Sequence, residues 1–246
     1  MSTSVWITGA SGGLGVALAH GLAADGARLA LTARPSAALD RLARELRKGG
    51  ADVLLAPGSV SSATDLDKAA ALIEKQWGAL DGLVIAAGVS PTYASAENVS
   101  LTEWQLIIAT NLTGTFLTAR AAFPLMKEHG GSMVAISSVH GQVGSARLSA
   151  YCASKGGVEL LTKSLALDWA RYGIRVNAVA AGYFETQMTQ ALRASERHRE
   201  SLLERTPMGR FGSPVELVGA TAFLLSSASA YVTGSTLVVD GGWTAA

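Results

Sequence analysis

Val5-Trp6-Ile7-Thr8-Gly9-Ala10-Ser11-Gly12-Gly13-Leu14-Gly15 is the stretch that decides the fold. A short run of strand-forming residues breaks on repeated glycines, and an apolar helical pattern follows without a gap. Glycines in that setting let the chain turn tightly, bring backbone N–H groups close to a ligand and let the new helix pack on the strand it leaves. The helix start then offers unpaired donors and a partial positive charge, which suits a pyrophosphate. Gly9, Ser11, Gly13, Leu14 and Gly15 are the candidate contacts. The Gly-x3-Gly-x-Gly spacing differs from GxGxxG, and the absence of a Gly-Lys-Ser/Thr ending argues against phosphoryl transfer. A glycine-rich turn with no ligand is the alternative.

The same alternation extends outward from this stretch. Strand candidates fall at 5–8, 28–32, 52–56, 82–86, 132–137, 174–180 and 236–239, most of them nearly continuous in Val, Ile, Leu and Ala. Such runs belong to strands covered on both faces. Helix candidates at 13–25, 36–48, 63–76, 101–127, 149–172 and 214–226 lie between them, and Leu39, Leu42, Ala43 and Leu46 show the helical spacing. Strand–helix repetition implies right-handed crossovers and a doubly wound α/β fold, a parallel sheet of about seven strands with helices on both faces. No Pro-, Ser- or charge-rich linker divides the 246 residues, so one domain over 1–246 is expected.

Composition excludes several functions. Twenty Lys and Arg against nineteen Asp and Glu leave a formal charge of +1, too little for a nucleic-acid binder or a polybasic membrane-surface protein. Charged residues make up 16% of the chain and mean hydropathy is +0.29, which opposes disorder and fits a buried sheet with subunit interfaces besides. Cys152 stands alone, so no internal disulfide and no Cys/His metal cluster is expected. The first residues carry no positive leader-like region, and no apolar run nears the roughly 20 residues that span a bilayer. A cytoplasmic location is the expectation.

About twenty residues after the glycine turn, a dinucleotide fold meets the adenosine ribose at the end of its second strand. Leu31-Thr32-Ala33-Arg34-Pro35 has no carboxylate there for a 2′-hydroxyl, whereas the Arg34 guanidinium can pair with a 2′-phosphate. NADP(H) is therefore favoured over NAD(H), with an ordinary exposed arginine as the alternative. Further on, Tyr151 and Lys155 lie four apart and share one helical face. A nearby ammonium favours the phenolate, and lowering a tyrosine pKa by about two to three units would make it a usable acid or base. Ser138 follows the strand at 132–137, where ligands of open α/β sheets bind, and can hold a carbonyl oxygen. Ser137 competes but reads as the last strand residue, pointing the other way. Asn111 is a polar residue in an apolar helix, a core amide if nothing more.

Assembled, these residues resemble the single-domain short-chain dehydrogenase/reductase family over essentially the whole chain. Thr8-Gly9-x3-Gly13-x-Gly15, Asn111, Ser138, Tyr151-x3-Lys155, Arg175-Val176-Asn177 and Val239-Asp240-Gly241-Gly242 fall in the family's order. The resemblance implies a Rossmann fold and reversible hydride transfer between a nicotinamide and a carbonyl or alcohol carbon. It casts Tyr151 as general acid/base, Lys155 as the group that acidifies it and binds the nicotinamide ribose, and Ser138 as the carbonyl-orienting hydroxyl. Asn111 would hold a helix kink and a water of the proton relay. It also implies cofactor contacts at Ser59, Val60, Ala87, Gly88, Gly182 and Thr186, and a pocket bordered by His140, Tyr183 and Met188. The charged segment 188–206, in itself a solvated amphipathic helix, becomes the expected substrate lid, and a homotetramer or homodimer is expected. Departures are Ile85-Ala86-Ala87-Gly88 where an Asn-Asn-Ala-Gly run is usual, Ser59 where Asp is common, Gly12 where a basic residue often helps bind NADP, and Ala181 where Pro is frequent.

The first functional expectation is an NADP(H)-dependent ketone reductase resembling 3-oxoacyl-carrier-protein reductases. The second is a polyol or sugar-acid dehydrogenase resembling gluconate 5-dehydrogenase, which the Tyr-Cys-Ala-Ser-Lys and Gly-Tyr-Phe-Glu-Thr runs suit. A cofactor-sensing protein without turnover is the third, opposed by the intact Ser138, Tyr151 and Lys155. A small-molecule substrate is expected in either enzyme; Arg147, Arg193, Arg197 and Arg199 only suggest a basic face for a carrier protein.

Overall fold

The computed structural model describes residues 3–90 and 92–246. Seven parallel strands form one sheet in the order β3-β2-β1-β4-β5-β6-β7: β1 (Ser4–Thr8), β2 (Arg28–Thr32), β3 (Val53–Leu55), β4 (Gly82–Ile85), β5 (Gly131–Ser138), β6 (Ile174–Ala181) and β7 (Thr236–Val239). β1 is central, Thr8 pairing with Thr32 of β2 on one side and Ile85 of β4 on the other. The chain winds from β1 to β3 in one direction and from β4 to β7 in the other, so the order reverses between β1 and β4. Ligands of open α/β sheets bind at that point, beyond the strand carboxyl ends.

Alternating side chains divide the core into two layers. Val5 and Ile7 enter a cluster with Leu18, Leu29, Leu39 and Leu217, while Trp6 points to the other face with Leu66, Ile73, Leu83 and Met133. The first layer is built by α1 (Gly13–Ala24), α2 (Ala37–Lys48) and α9 (Glu216–Leu225), the second by α3 (Ala63–Trp77), α5 (Gly114–Met126) and α6 (Ser149–Trp169). Trp6 Nε1 donates to Thr32 Oγ1 at 2.9 Å, which in turn donates to Ala56 O at 2.8 Å, so the buried indole leaves no orphan donor.

Helix ends fall where local chemistry puts them. α2 starts one residue later than the pattern suggests because Ser36 is its cap, accepting from Leu39 N–H. α9 starts at Glu216, whose carboxylate accepts from Ser213 N–H at 2.7 Å and pairs with Arg210. The long helix expected at 101–127 is interrupted. α4 (Leu101–Ile108), opened by a Ser100/Glu103 capping box, passes through a π-helical turn at Ala109–Thr113 into α5. This stretch is long and apolar enough to cross a membrane by composition alone, yet its α5 half packs into the second core layer. Two short helices, α7 (Gln190–Ala194) and α8 (Glu196–Glu204), follow β6.

Candidate active site

The glycine turn is shaped by close backbone approach. Gly9 has φ +71°, and a Cβ there would lie 2.5 Å from Ala87 N, so the loops leaving β1 and β4 touch main chain to main chain. A Cβ on Gly15 would run into Gly9 O. Gly12 precedes α1 and no side chain caps it, leaving the helix N-terminus open to an anion. Ala10 N–H donates to Thr32 O at 3.2 Å, tying this turn to the end of β2. Two residues beyond that end, Arg34 is exposed and in no ion pair among the described residues. This donor set fits a dinucleotide: a glycine cradle at a helix start, with a free guanidinium at the neighbouring strand end.

The other expected cofactor positions surround the same crevice. Ser59 N–H donates to Asp65 Oδ2 at 3.0 Å, and Val60 packs against Gly114 at the start of α5. Gly182 donates its N–H to Val239 O, and a Cβ there would lie 2.6 Å from Asp240 Cα. Thr186 arches back to the glycine turn, where a Cβ on Gly13 would lie 3.0 Å from its side chain. At the end of β1 the buried Thr8 Oγ1 has no hydrogen-bond partner among the described residues.

Four side chains meet beyond β4 and β5. Ser138 is the last residue of β5 rather than the first beyond it, and its Oγ accepts from His140 N–H at 3.2 Å. Ser137 faces away, its hydroxyl donating to Glu159 Oε1 at 3.1 Å and to Lys155 O at 3.3 Å. Tyr151 and Lys155 share a face of α6, with Lys155 Nζ 5.9 Å from the tyrosine ring centroid. Lys155 is 5% exposed, and its ammonium donates to Ile136 O at 2.7 Å. Asn111 sits in the π-turn, fully buried. Its Oδ1 accepts from Val89 N–H at 2.8 Å, while its Nδ2 donates to Val89 O and to Ser154 Oγ, both at 3.0 Å. Asn111 thus clamps the loop after β4 to α6. Gly88 runs between, where a Cβ would lie 3.6 Å from both Asn111 Oδ1 and Lys155 Nζ.

Burial sets the protonation of this cluster. It pushes Lys155 down from 10.5 to about 8. It also pushes the Tyr151 phenol above its ordinary range, outweighing a hydrogen bond with Ser138 that lowers it, while Cys152 adds to the rise. The acidified tyrosine expected from the spacing alone is therefore not what the site presents. The low-dielectric surroundings that bring the two groups together favour the neutral form of each.

An aromatic wall borders the cluster. His140, 5% exposed, has its Nε2 2.8 Å from Tyr183 Oη, and its ring packs edge-on to Tyr151, Tyr183 and Trp243 at centroid distances of 6.4, 5.7 and 5.3 Å. Burial first of all lowers His140 and raises Tyr183 to about 12, so both are neutral near pH 7. Arg205 stacks 3.7 Å above the Trp243 ring, His198 meets Tyr93 edge-on at 6.2 Å, and Arg193 donates to Thr186 O at 3.2 Å. The 188–206 segment is thereby tied to the site at three points. Met188 is 48% exposed and makes no part of the wall. Ser154, Tyr93, Arg205 and Trp243 were not anticipated; only Ser154, one turn from Tyr151 on the same helix, had a sequence signal.

A family model described as enoyl-(acyl carrier protein) reductase matches residues 9–244. The gluconate 5-dehydrogenase of Gluconobacter oxydans (strain 621H) is 40% identical over 242 residues, covering 97% of this chain and 93% of that protein. The L-tagatose-forming galactitol 2-dehydrogenase of Cereibacter sphaeroides is 41% identical over 241 residues, covering 97% and 93%. A crystal structure of a gluconate 5-dehydrogenase from Burkholderia cenocepacia J2315, in complex with NADP and tartrate, superposes with a TM-score of 0.96 at 37% identity, covering 100% of this chain and 97% of that one.

Proposed function

The chain belongs to the short-chain dehydrogenase/reductase family, and from that premise we propose that it exchanges hydride between NADP(H) and the carbinol or carbonyl carbon of a small polar substrate, a polyol or sugar acid. It is an oxidoreductase acting on CH–OH groups with a nicotinamide cofactor. The observation that carries the reading is the half-buried Tyr151 paired with the buried Lys155 beside Ser138, at the strand ends next to the dinucleotide cradle. The neutral, hydrogen-bonding His140–Tyr183 wall supports a hydroxyl-rich substrate over the 3-oxoacyl chain that the sequence alone places first.

A bound nicotinamide supplies or accepts the hydride; the protein handles the proton. Gly9, Ser11, Gly13, Leu14 and Gly15 would hold the pyrophosphate and Arg34 the 2′-phosphate. Ser59, Val60, Ala87 and Gly88 would line the adenosine and ribose side, Lys155 would bind the nicotinamide ribose, and Gly182 and Thr186 would border the nicotinamide. Ser138 donates a hydrogen bond to the reacting oxygen and Tyr151 holds the proton at Oη, ready for the oxygen that becomes an alcohol. The phenolate left behind is steadied by Lys155, charged below about pH 8. Asn111 keeps α6 and the loop after β4 in register for this exchange. Segment 188–206 acts as the lid, which its three anchors to the site support. The exposed Leu160 and Leu167 of α6 support a homo-oligomer.

The test is NADP-linked turnover on a panel of polyols, sugar acids, simple ketones and acetoacetyl thioesters, run on wild type and Tyr151→Phe. The expected result is activity on the hydroxylated compounds that falls at least 100-fold in the variant. Tight NADP binding with no turnover anywhere would replace the enzyme by a sensor, and activity confined to thioesters would restore the acyl reading.

A further inference from the structure

The His140–Tyr183 couple lies outside the proton-handling set, yet it is built into the same pocket. Ser138 opens the 3-10 turn Val139–Gly141, and its Oγ accepts from His140 N–H, so the hydroxyl facing the reacting oxygen and the imidazole are fixed on one rigid turn. Ser138 is the extended cap of that turn and His140 its second residue, so the bond between them at 3.2 Å keeps the two groups adjacent. Tyr183 comes from the loop after β6, and burial keeps its phenol protonated, able to donate or accept a hydrogen bond. Trp243 packs at 5.7 Å from Tyr183 and holds both rings in place, and its own buried Nε1 finds no acceptor among the described residues. A buried imidazole paired with a half-buried phenol, beside an indole N–H with no acceptor among the described residues, is an unusual wall for an alkyl chain and a natural one for oxygen atoms.

We propose that His140 and Tyr183 form a second oxygen site that reads the hydroxyl on the carbon next to the reacting one, so that the enzyme selects vicinal diols and α-hydroxy ketones over their deoxy counterparts. The assignment rests on the oxidoreductase reading of Ser138 and Tyr151. Size follows from chemistry. A site whose polar groups are orphaned by a missing hydroxyl discriminates very strongly. Here the imidazole and the phenol satisfy each other when no substrate hydroxyl is present, so the expected preference is about 10- to 100-fold, in line with one or two neutral hydrogen bonds.

The test uses two matched pairs with NADP as oxidant: 2,3-butanediol against 2-butanol, and 1,2-cyclohexanediol against cyclohexanol. Tyr183→Phe keeps the ring against His140 and Trp243 and removes only the hydroxyl. Wild type is expected to favour each diol in kcat/KM by at least 10-fold. Tyr183→Phe should lower the diol values by a similar factor while holding the mono-alcohols within about 3-fold, with an unchanged unfolding midpoint. His140→Gln, which keeps a hydrogen-bonding head, should retain part of the preference that His140→Leu loses. Equal turnover of diol and mono-alcohol by wild type, or an equal loss on both in Tyr183→Phe, overturns the assignment. Failure to oxidise either diol also overturns it, whereas the hydride-transfer reading falls only if the wider ketone and alcohol panel gives no turnover.

Discussion

Replacing Lys155 with methionine should abolish turnover while relieving the fold. The lysine is 95% buried, and its pKa is displaced from 10.5 to about 8 by that burial alone. A displacement of this size corresponds to about 3 kcal/mol of native-state strain when the group is charged. The sign is fixed by the direction of the shift. Between pH 8 and 10.5 the unfolded chain binds a proton that the folded chain has shed, so wild-type stability rises with pH through that window. Below pH 8 the full penalty is present. Methionine has no such dependence, so the stability difference between wild type and Lys155→Met should move by about 2 kcal/mol in favour of wild type between pH 7 and 9.5. For a chain of this length, that is about 4–8 °C in Tm. Losing the bond to Ile136 O shifts the two curves by a constant and leaves their pH slope untouched. Paired urea or thermal unfolding at four pH values is the assay, and pH 9.5 keeps the raised tyrosines neutral. Parallel stability curves would refute the argument, since they would mean that the amine is not desolvated in the native protein.

Other perturbations probe the cofactor cradle and its surroundings. Gly9→Ala forces a side chain into φ +71° and against Ala87 main chain at 2.5 Å, and should destabilise the protein by about 2–4 kcal/mol, read by denaturant midpoint. Thr8→Val removes a buried hydroxyl with no partner among the described residues and keeps the shape, so stability should be unchanged or up to about 1 kcal/mol higher; a loss of more than that would show that the hydroxyl has a partner. Arg34→Asp should shift the NADP/NAD ratio of kcat/KM toward NAD by at least 10-fold, and an unmoved ratio would remove Arg34 from the 2′-phosphate site.

The sheet was legible because doubly covered strands read as unbroken Val, Ile, Leu and Ala, and the glycine turn marks where they begin. Tyr151 and Lys155 were legible because four residues on a helix bring side chains to one face. The π-turn was not, since Ala109-Thr110-Asn111-Leu112-Thr113 carries no residue that forbids an ordinary helix; the surplus residue is imposed by the Asn111 clamp to Val89 and Ser154. The proton state of Tyr151 escaped for a related reason. Spacing reports which groups are neighbours, but burial, which raises the phenol here, is a property of the whole packed site. Trp243 and Arg205 reach the wall from far along the chain, and no local pattern encodes that meeting.

The π-turn makes α4 and α5 one rod carrying an extra residue. Each helical residue advances the chain by about 100° around its axis, so that surplus sets the rotational phase of everything before Asn111 against everything after it. Deleting one residue from the rod would keep nearly every helical bond intact. It would also swing either the buried amide off Val89 or the outward Trp104 into a new bearing. Surface loops of this molecule can change size at small expense; this rod behaves as a combination dial, and only one setting opens the site.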